Sequence, residues 1–275
     1  MHRWDPEEYK NSSSAQQKWA GELISKIGIR GNERVLDIGS GDGKITAELA
    51  RLVSKGFVLG IDNSEEMVRF AQSKFPESSH PNLLFQVGDA CNLQFEEEFD
   101  IVVSFAALHW VLDHGPVLAG IRRSLKPGGK AFIQFGGKGN AAEALGIADE
   151  MITEDRWKRY FEGFSFRYGF FGPEEYRAWL DQAGLAAKRV ELIPKDMQVL
   201  GKEGLASWIK STWLPYSMRV PENLRQDFID EIAERYVQSH PPDGDGTVHV
   251  QMVRLEAVAE KPEIKETEET EKNEK

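Results

Sequence analysis

Two rhythms of hydrophobic spacing take turns along the first half of the chain. Arg34-Val35-Leu36-Asp37-Ile38, Phe57–Asp62, Leu83–Val87, Phe99–Ser104 and Lys130–Phe135 are short, nearly continuous apolar runs. Such runs suit strands covered on both faces. Between them the spacing turns helical. Ile45, Leu49, Leu52 and Val53 form one stripe from Lys44 to Val53, the face a helix turns toward a sheet. Asn63 is placed to cap the next helix, which reaches about Phe75, and Glu66 completes a capping-box pattern. Another helix is expected from about Pro116 to Leu125, before the turn Lys126-Pro127-Gly128-Gly129, and an earlier one from Ser12 to Lys26. Strands that alternate with helices form a parallel sheet, because each right-handed crossover needs a helix. The expected fold class is α/β, doubly wound.

After Gly137 the pattern changes. Residues 139 to 162 read as helical and then turn aromatic, through Trp157, Tyr160, Phe161, Phe164, Phe166, Tyr168, Phe170 and Phe171. Pro173 opens a helix ending near Gly184, and Lys188–Ile193 reads as a sixth strand. Two helices are expected within residues 202 to 238, and the alternating run Thr247–Ala259 as a last strand. From Glu260 the chain is Lys, Glu and Thr without period, the pattern of a disordered acidic tail. The expected organisation is an N-terminal helical segment over residues 1–30 and a core over 31–137. Lid helices and the last sheet strands follow over 138–260, then a tail over 261–275.

Composition narrows the class. Hydrophobic residues make up 40% of 275 positions, enough to bury a core. The formal charge is −11 and no segment is dominated by Lys and Arg, which argues against a nucleic-acid partner. Cys91 is the single cysteine, so no intrachain disulfide is expected. The polar N-terminus has no signal-peptide form, and no run of apolar residues is long enough to span a membrane. The expected setting is cytoplasmic.

The chemistry gathers at strand ends. Gly39-x-Gly41-x-Gly43 follows the first strand and precedes a helix. Glycines there permit a tight turn and let a ligand lie against bare backbone. Asp62 ends the second strand, where an acid can accept both hydroxyls of a ribose. Dinucleotide enzymes usually show Gly-x-Gly-x-x-Gly with a helix N-terminus facing a pyrophosphate. Here the third glycine comes one residue early, and Asp42 would repel such a group. A cofactor with a cationic sulfonium and an amino-acid end tolerates that carboxylate better. The bland reading is a plain βα turn beside a helix-flanking acid. A lone calcium-like Asp243-Gly244-Asp245-Gly246 has Arg254 where a bidentate Glu is needed and reads as a turn; no metal is expected.

Val35 to Gly43 resembles the first motif of the class I S-adenosylmethionine-dependent methyltransferases. Asp62 matches their ribose-binding acid, Gly88-Asp89-Ala90 their adenine motif, Phe99–Ser104 their fourth motif, and Leu125–Gly129 the turn before their fifth strand. The resemblance implies a mostly parallel, seven-stranded Rossmann-like sheet with helical lid insertions. It implies S-adenosyl-L-methionine as cofactor, with the methionine part near Gly39, Ser40 and Gly41 and Asp37 nearby. Asp62 would hold the ribose, Met67 or the backbone after Asn63 would cover the adenine, and Asp89 and Ala90 would hold its edge, with Ser104 in the fourth motif also at the site.

Ala106-Ala107-Leu108-His109-Trp110 is similar to a segment of the trans-aconitate and juvenile hormone acid methyltransferases, as are Trp4-Asp5-Pro6-x-x-Tyr9 and Tyr9-x-x-x-Ser13-x-x-Gln16. Both groups methylate a carboxylate. The resemblance implies a small-molecule acceptor near Tyr9, Gln16, His109, Trp110 and Tyr168. His109 is either a catalytic base or substrate contact, or a packing residue beside Trp110. His114 reads as a loop residue. The aromatic segment from Tyr160 to Phe171, with Trp208, Trp213 and Tyr216, is either a lid or plain core; Arg167, Tyr168 and Arg219 are its unranked candidates for cationic or hydrogen-bonding partners of a carboxylate. Two other functions stay open: a non-catalytic S-adenosyl-binding protein and an NAD-dependent oxidoreductase. The oligomeric state is not legible.

Overall fold

The computed structural model describes residues 14–263, with side chains from Gln17. Residues 1–13 of the expected N-terminal segment and 264–275 of the expected tail, including Tyr9, and the side chain of Gln16 lie outside the described residues. Seven strands form one sheet in the order β3-β2-β1-β4-β5-β7-β6. They are β1 (Arg34–Ile38), β2 (Phe57–Asp62), β3 (Leu83–Val87), β4 (Phe99–Phe105), β5 (Leu125–Gly136), β6 (Ala186–Leu200) and β7 (Thr247–Glu260). The first five pair in parallel, and β7 runs antiparallel between β5 and β6.

The apolar runs form strands because both faces of the sheet are covered. Val35 packs with helices α1 (Ser14–Ile24), α2 (Lys44–Leu52) and α3 (Glu65–Lys74). Its neighbours Leu36 and Ile38 point the other way, into a cluster with α4 (His114–Ser124) and α6 (Pro173–Gln182). A third cluster joins α5 (Ala142–Met151), α7 (Gly201–Thr212), the single turn α8 (Leu214–Ser217) and α9 (Glu222–Ser239) to Val248, Val250 and Met252 of β7. Among the described residues no helix is long and apolar enough to cross a membrane.

Several boundaries move for physical reasons. The cap of α3 is Ser64, whose Oγ accepts from Met67 N at 3.3 Å, and not Asn63, which stays exposed. The helix expected over 139–162 stops at Met151. Trp157 then folds onto Phe228 of α9, ring centroids 5.1 Å apart, and only a short 3₁₀ turn forms at Lys158–Tyr160. β6 continues past Pro194 to Leu200, because β6 is the sheet edge and pairs with β7 along its whole length. An edge strand tolerates proline. His114 is no loop residue. It opens α4, 1% exposed.

Candidate active site

The chain reverses direction across the sheet between β1 and β4, which are neighbours although β2 and β3 intervene in sequence. In open α/β sheets, ligands bind outside the carboxyl ends of the strands at such a point. A cleft of ≈ 340 Å³ lies there. Its walls include Ile38 and Gly39 after β1, Asp62 after β2, Gly88 to Ala90 after β3, and Phe105 to Val111 after β4.

The glycine loop forms one wall. Gly39 has φ +76° and a Cβ on it would collide with the Cβ of Ala107. Gly41 has φ +51° and faces open space. Bare backbone can therefore approach a ligand closely. Gly39 and Ser40 both donate to Ile61 O, at 2.8 and 2.9 Å, locking the loop to β2.

Three aspartates surround this loop in different ways. Asp62 faces the cleft; its carboxylate accepts from Gly41 N and Ser64 N, each at 2.9 Å. Burial raises its pKa against those two donors. Asp89 also lines the cleft and accepts from Cys91 N at 2.9 Å, so it caps the turn that presents Ala90. Asp37 lies beneath the loop and does not line the cleft. It is 2% exposed, accepts from Thr46 Oγ1 at 2.8 Å, and burial pushes its pKa up to about 7, with the charge of Asp62 adding to the rise. Asn63 and Met67 complete this end of the cleft.

Two expected ligand residues are placed elsewhere. Ser104 is 1% exposed, and its hydroxyl donates to Ile38 O at 2.8 Å, tying β4 to β1. Its place in the fourth motif reflects strand pairing. Ser40 is 7% exposed and contributes no surface to the cleft.

The other end of the cleft is aromatic. Past β4, Ala106 takes φ +53°, a strained conformation for a non-glycine residue, and the turn Leu108–Trp110 follows. His114 fixes that turn. Its Nε2 lies 3.0 Å from Leu108 O and its Nδ1 3.2 Å from Tyr176 Oη. A carbonyl only accepts, so Nε2 carries the proton and Tyr176 donates to Nδ1. Gly169 N donates to His109 O at 2.8 Å, which brings Phe166, Tyr168 and Phe170 over the turn; a Cβ on Gly169 would strike Val111 O. Tyr168 stacks on Phe170, centroids 5.0 Å apart and planes 6° apart. Trp110 meets Tyr168 edge-on at 5.2 Å. Trp208 and Trp213 of the helical cluster also line this end.

His109 sits among these rings, half-buried, 6.1 Å from Tyr168 and 6.0 Å from Phe170 between centroids. Its Nδ1 is buried without a hydrogen-bond partner. Burial, with the positive charge of Arg254 and the nearby His114, drops its pKa to about 3. Burial holds the Tyr168 phenol well above its usual value.

Arg254 is the residue that sequence reasoning missed. It is 4% exposed, lines the cleft, and carries its guanidinium over the Trp19 ring, 4.5 Å from the centroid. Its register was a usable signal. Arg254 is in phase with Val248, Val250 and Met252, the buried positions of an alternating strand. Arg167 and Arg219, expected as partners for a carboxylate, are exposed and absent from the cleft walls; Arg219 instead donates to Glu162 O at 3.0 Å.

Comparison with known proteins bears on the cofactor. Residues 36–133 match a family model described as a methyltransferase domain. Over 270 residues the chain is 31% identical to a trans-aconitate 2-methyltransferase of Deinococcus radiodurans, covering 95% of this chain and 99% of that one. The chain belongs to the class I S-adenosylmethionine-dependent methyltransferases. A trans-aconitate 2-methyltransferase of Mycobacterium tuberculosis is 27% identical over 260 residues, covering 94% of this chain and 96% of that one. A solved Haemonchus contortus phosphoethanolamine N-methyltransferase 2, in complex with S-adenosylhomocysteine, shares the fold at TM-score 0.60 and 21% identity. That match covers 94% of this chain and 57% of that one. This methyltransferase therefore uses S-adenosylmethionine, whose sulfonium supplies an electrophilic methyl group, and its enzyme class excludes the oxidoreductase alternative.

Proposed function

We propose that this methyltransferase transfers a methyl group to the carboxylate of a small molecule. In this reading the cofactor lies along the Gly39–Gly41 backbone. Asp62 takes the ribose hydroxyls, Asn63 and Met67 flank the adenine, and Asp89 and Ala90 hold its edge. Asp37 acts from below the loop by positioning it. The acceptor occupies the aromatic end, against His109, Trp110 and Tyr168.

The state of the acceptor end carries the choice of acceptor. A phenol or amine must lose a proton as it is methylated, and a general base works best with a pKa near the operating pH. His109, at about 3, is a poor proton acceptor at neutral pH. Tyr168 is held neutral, and Arg254 is a cation. An acceptor that is ionised at neutral pH needs no base, and a carboxylate is one. His109 then serves as a neutral hydrogen-bonding contact. The pocket contributes alignment and water exclusion, which can supply up to roughly 7–11 kcal/mol of barrier lowering. The trans-aconitate relatives support the same class.

Transfer of labelled methyl from S-adenosylmethionine to a panel of carboxylic acids, phenols and amines tests this reading. Ester formation on at least one acid, with phenols and amines inert, is the expected result. Transfer confined to amines or phenols overturns it.

A further inference from the structure

Two hydroxyls at the aromatic end of the cleft are already committed: Tyr168 donates to Thr212 O at 3.3 Å, and Thr212 donates to Trp208 O at 2.6 Å. Asn140 is different. It is 6% exposed, lines the cleft, and its Oδ1 accepts from Val253 N of β7 at 3.1 Å. A backbone N–H only donates, so the amide oxygen faces Val253 and the amide nitrogen points elsewhere. Among the described residues that nitrogen has no hydrogen-bond partner. A Cβ on Gly136 would come 3.1 Å from Asn140 Nδ2 and 2.6 Å from Phe170 Cε1. The nitrogen therefore lies over the end of β5, beside the ring that faces His109. Since β5 neighbours β4 and β4 neighbours β1, Asn140, His109 and the glycine loop follow three adjacent strands. The turn that presents Asn140 is strained. Gly139 has φ +86° and Ala141, buried and also in the cleft wall, has φ +50°. Left-handed backbone at a non-glycine residue persists only where its surroundings fix it, and such residues cluster at ligand sites.

We infer that Asn140 donates its amide N–H to the acceptor's second oxygen, the one that is not methylated, and so selects acceptors that carry two oxygens on one carbon. The inference rests on the carboxylate reading above. One carboxylate oxygen forms the new C–O bond as the C–S bond breaks and its electron pair passes to sulfur; no proton is released. The other oxygen keeps a lone pair for Asn140 throughout. A neutral amine has a single lone pair, which must attack the methyl, and would leave the amide unpaired in a wall that excludes water, at a cost. A phenolate offers only the attacking oxygen, whose nucleophilicity a donor lowers. An amide suits this position because it serves two sides at once, accepting from the strand and donating to the ligand. Aspartate keeps the first role and loses the second.

Full-length protein, isotope-labelled at its asparagine side-chain nitrogens and loaded with S-adenosylhomocysteine, is titrated with trans-aconitate, benzoate and hexanoate, with hexylamine as control, and followed by NMR. Turnover with S-adenosylmethionine is measured in parallel. The Asn140 signal is the one missing from Asn140→Asp. One of its two amide protons should move downfield with at least one acid, and neither should move with the amine. Asn140→Asp can still accept from Val253 N and should keep its S-adenosylhomocysteine affinity within twofold and its stability in urea. Its affinity for the acid and its kcat/KM for ester formation should fall by roughly 10- to 100-fold, the loss expected for a hydrogen bond to a charged group. Asn140→Ala adds no charge; it should lose acid affinity to a like degree and be less stable as well, since Val253 N is then unpaired. Amide protons that stay in place with all three acids overturn the inference, as does acid affinity retained in Asn140→Ala. The expected shift without ester formation leaves the Asn140 donor standing and counts against carboxylate methylation. Ester formation that neither variant alters does the reverse.

Discussion

Replacing Asp37 by Asn should make the cofactor-free protein more stable at and above neutral pH and leave it nearly unchanged near about pH 4. Asp37 is buried under the glycine loop, and its pKa is about 7 in the folded chain against 3.8 for an ordinary aspartate. Raising the folded pKa means that the native state holds the proton more tightly than the unfolded chain. The corresponding stability is fully present below about pH 4 and is lost as pH rises through about 7. A gap of about three pH units at ~1.4 kcal/mol each gives a loss of about 4 kcal/mol. Asparagine is neutral throughout and cannot show it. Urea unfolding of cofactor-free wild type and Asp37→Asn, at about pH 4, 5, 6 and 8, measures the difference. The two should lie closest at the acid end, separate by about 1.4 kcal/mol per pH unit up to about pH 7 and stay a few kcal/mol apart above it, the variant being the more stable. A difference that stays constant across that range would refute the assignment of the buried proton to Asp37. The same charge is useful once a cationic cofactor is bound, so the variant should bind S-adenosylmethionine more weakly at pH 8 despite its greater stability.

Gly39→Ala places a Cβ against Ala107 at φ +76°; left-handed backbone and overpacking together should cost roughly 2–5 kcal/mol. Thermal unfolding should move down by roughly 4–20 °C, and an unchanged midpoint would contradict the packing described. Tyr176→Phe leaves the buried Nδ1 of His114 without its donor and should lower unfolding free energy by about 1–3 kcal/mol, measured in urea. For a group with pKa about 3, kcat/KM for a carboxylate acceptor should be flat from about pH 6 to about 8 when S-adenosylmethionine is saturating, so that Asp37 is already ionised in the cofactor complex. An ascending limb near 6.5 that disappears in His109→Asn would show that His109 is a base after all.

The parallel half of the sheet was readable because burial on both faces leaves an unmistakable run of apolar residues, and because the loop after β1 needs glycine for steric reasons. The boundaries of the later elements were less so. Pro194 reads as a strand breaker until it is known that β6 is an edge, and residues 152–162 have helical composition but leave the helix so that Trp157 can reach Phe228. Local pattern cannot encode a partner 71 residues away. At the cleft, Gly39, Gly41 and Asp62 were legible from position after strand ends, and Asp89 from the family resemblance of Gly88-Asp89-Ala90. Ser104 was not, because a motif match says where a residue sits and not which way its hydroxyl points. Arg254 was overlooked for the opposite reason: its strand was recognised, but a cation in the buried phase of the alternation was not read as part of a cleft wall.

The placement of β7 sets an order on biosynthesis. The five parallel strands, whose ends carry the glycine loop, Asp62 and Asp89, are complete once Gly136 has been made, yet β6 has no neighbour in the sheet except β7, the last strand in chain order. As chains emerge N-terminal end first, the parallel half can assemble while β7 is still on the ribosome. A product cut short before residue 247 would keep the glycine loop, lose the Met252 and Arg254 wall of the cleft, and leave β5 and β6 unpaired on that side and prone to aggregation.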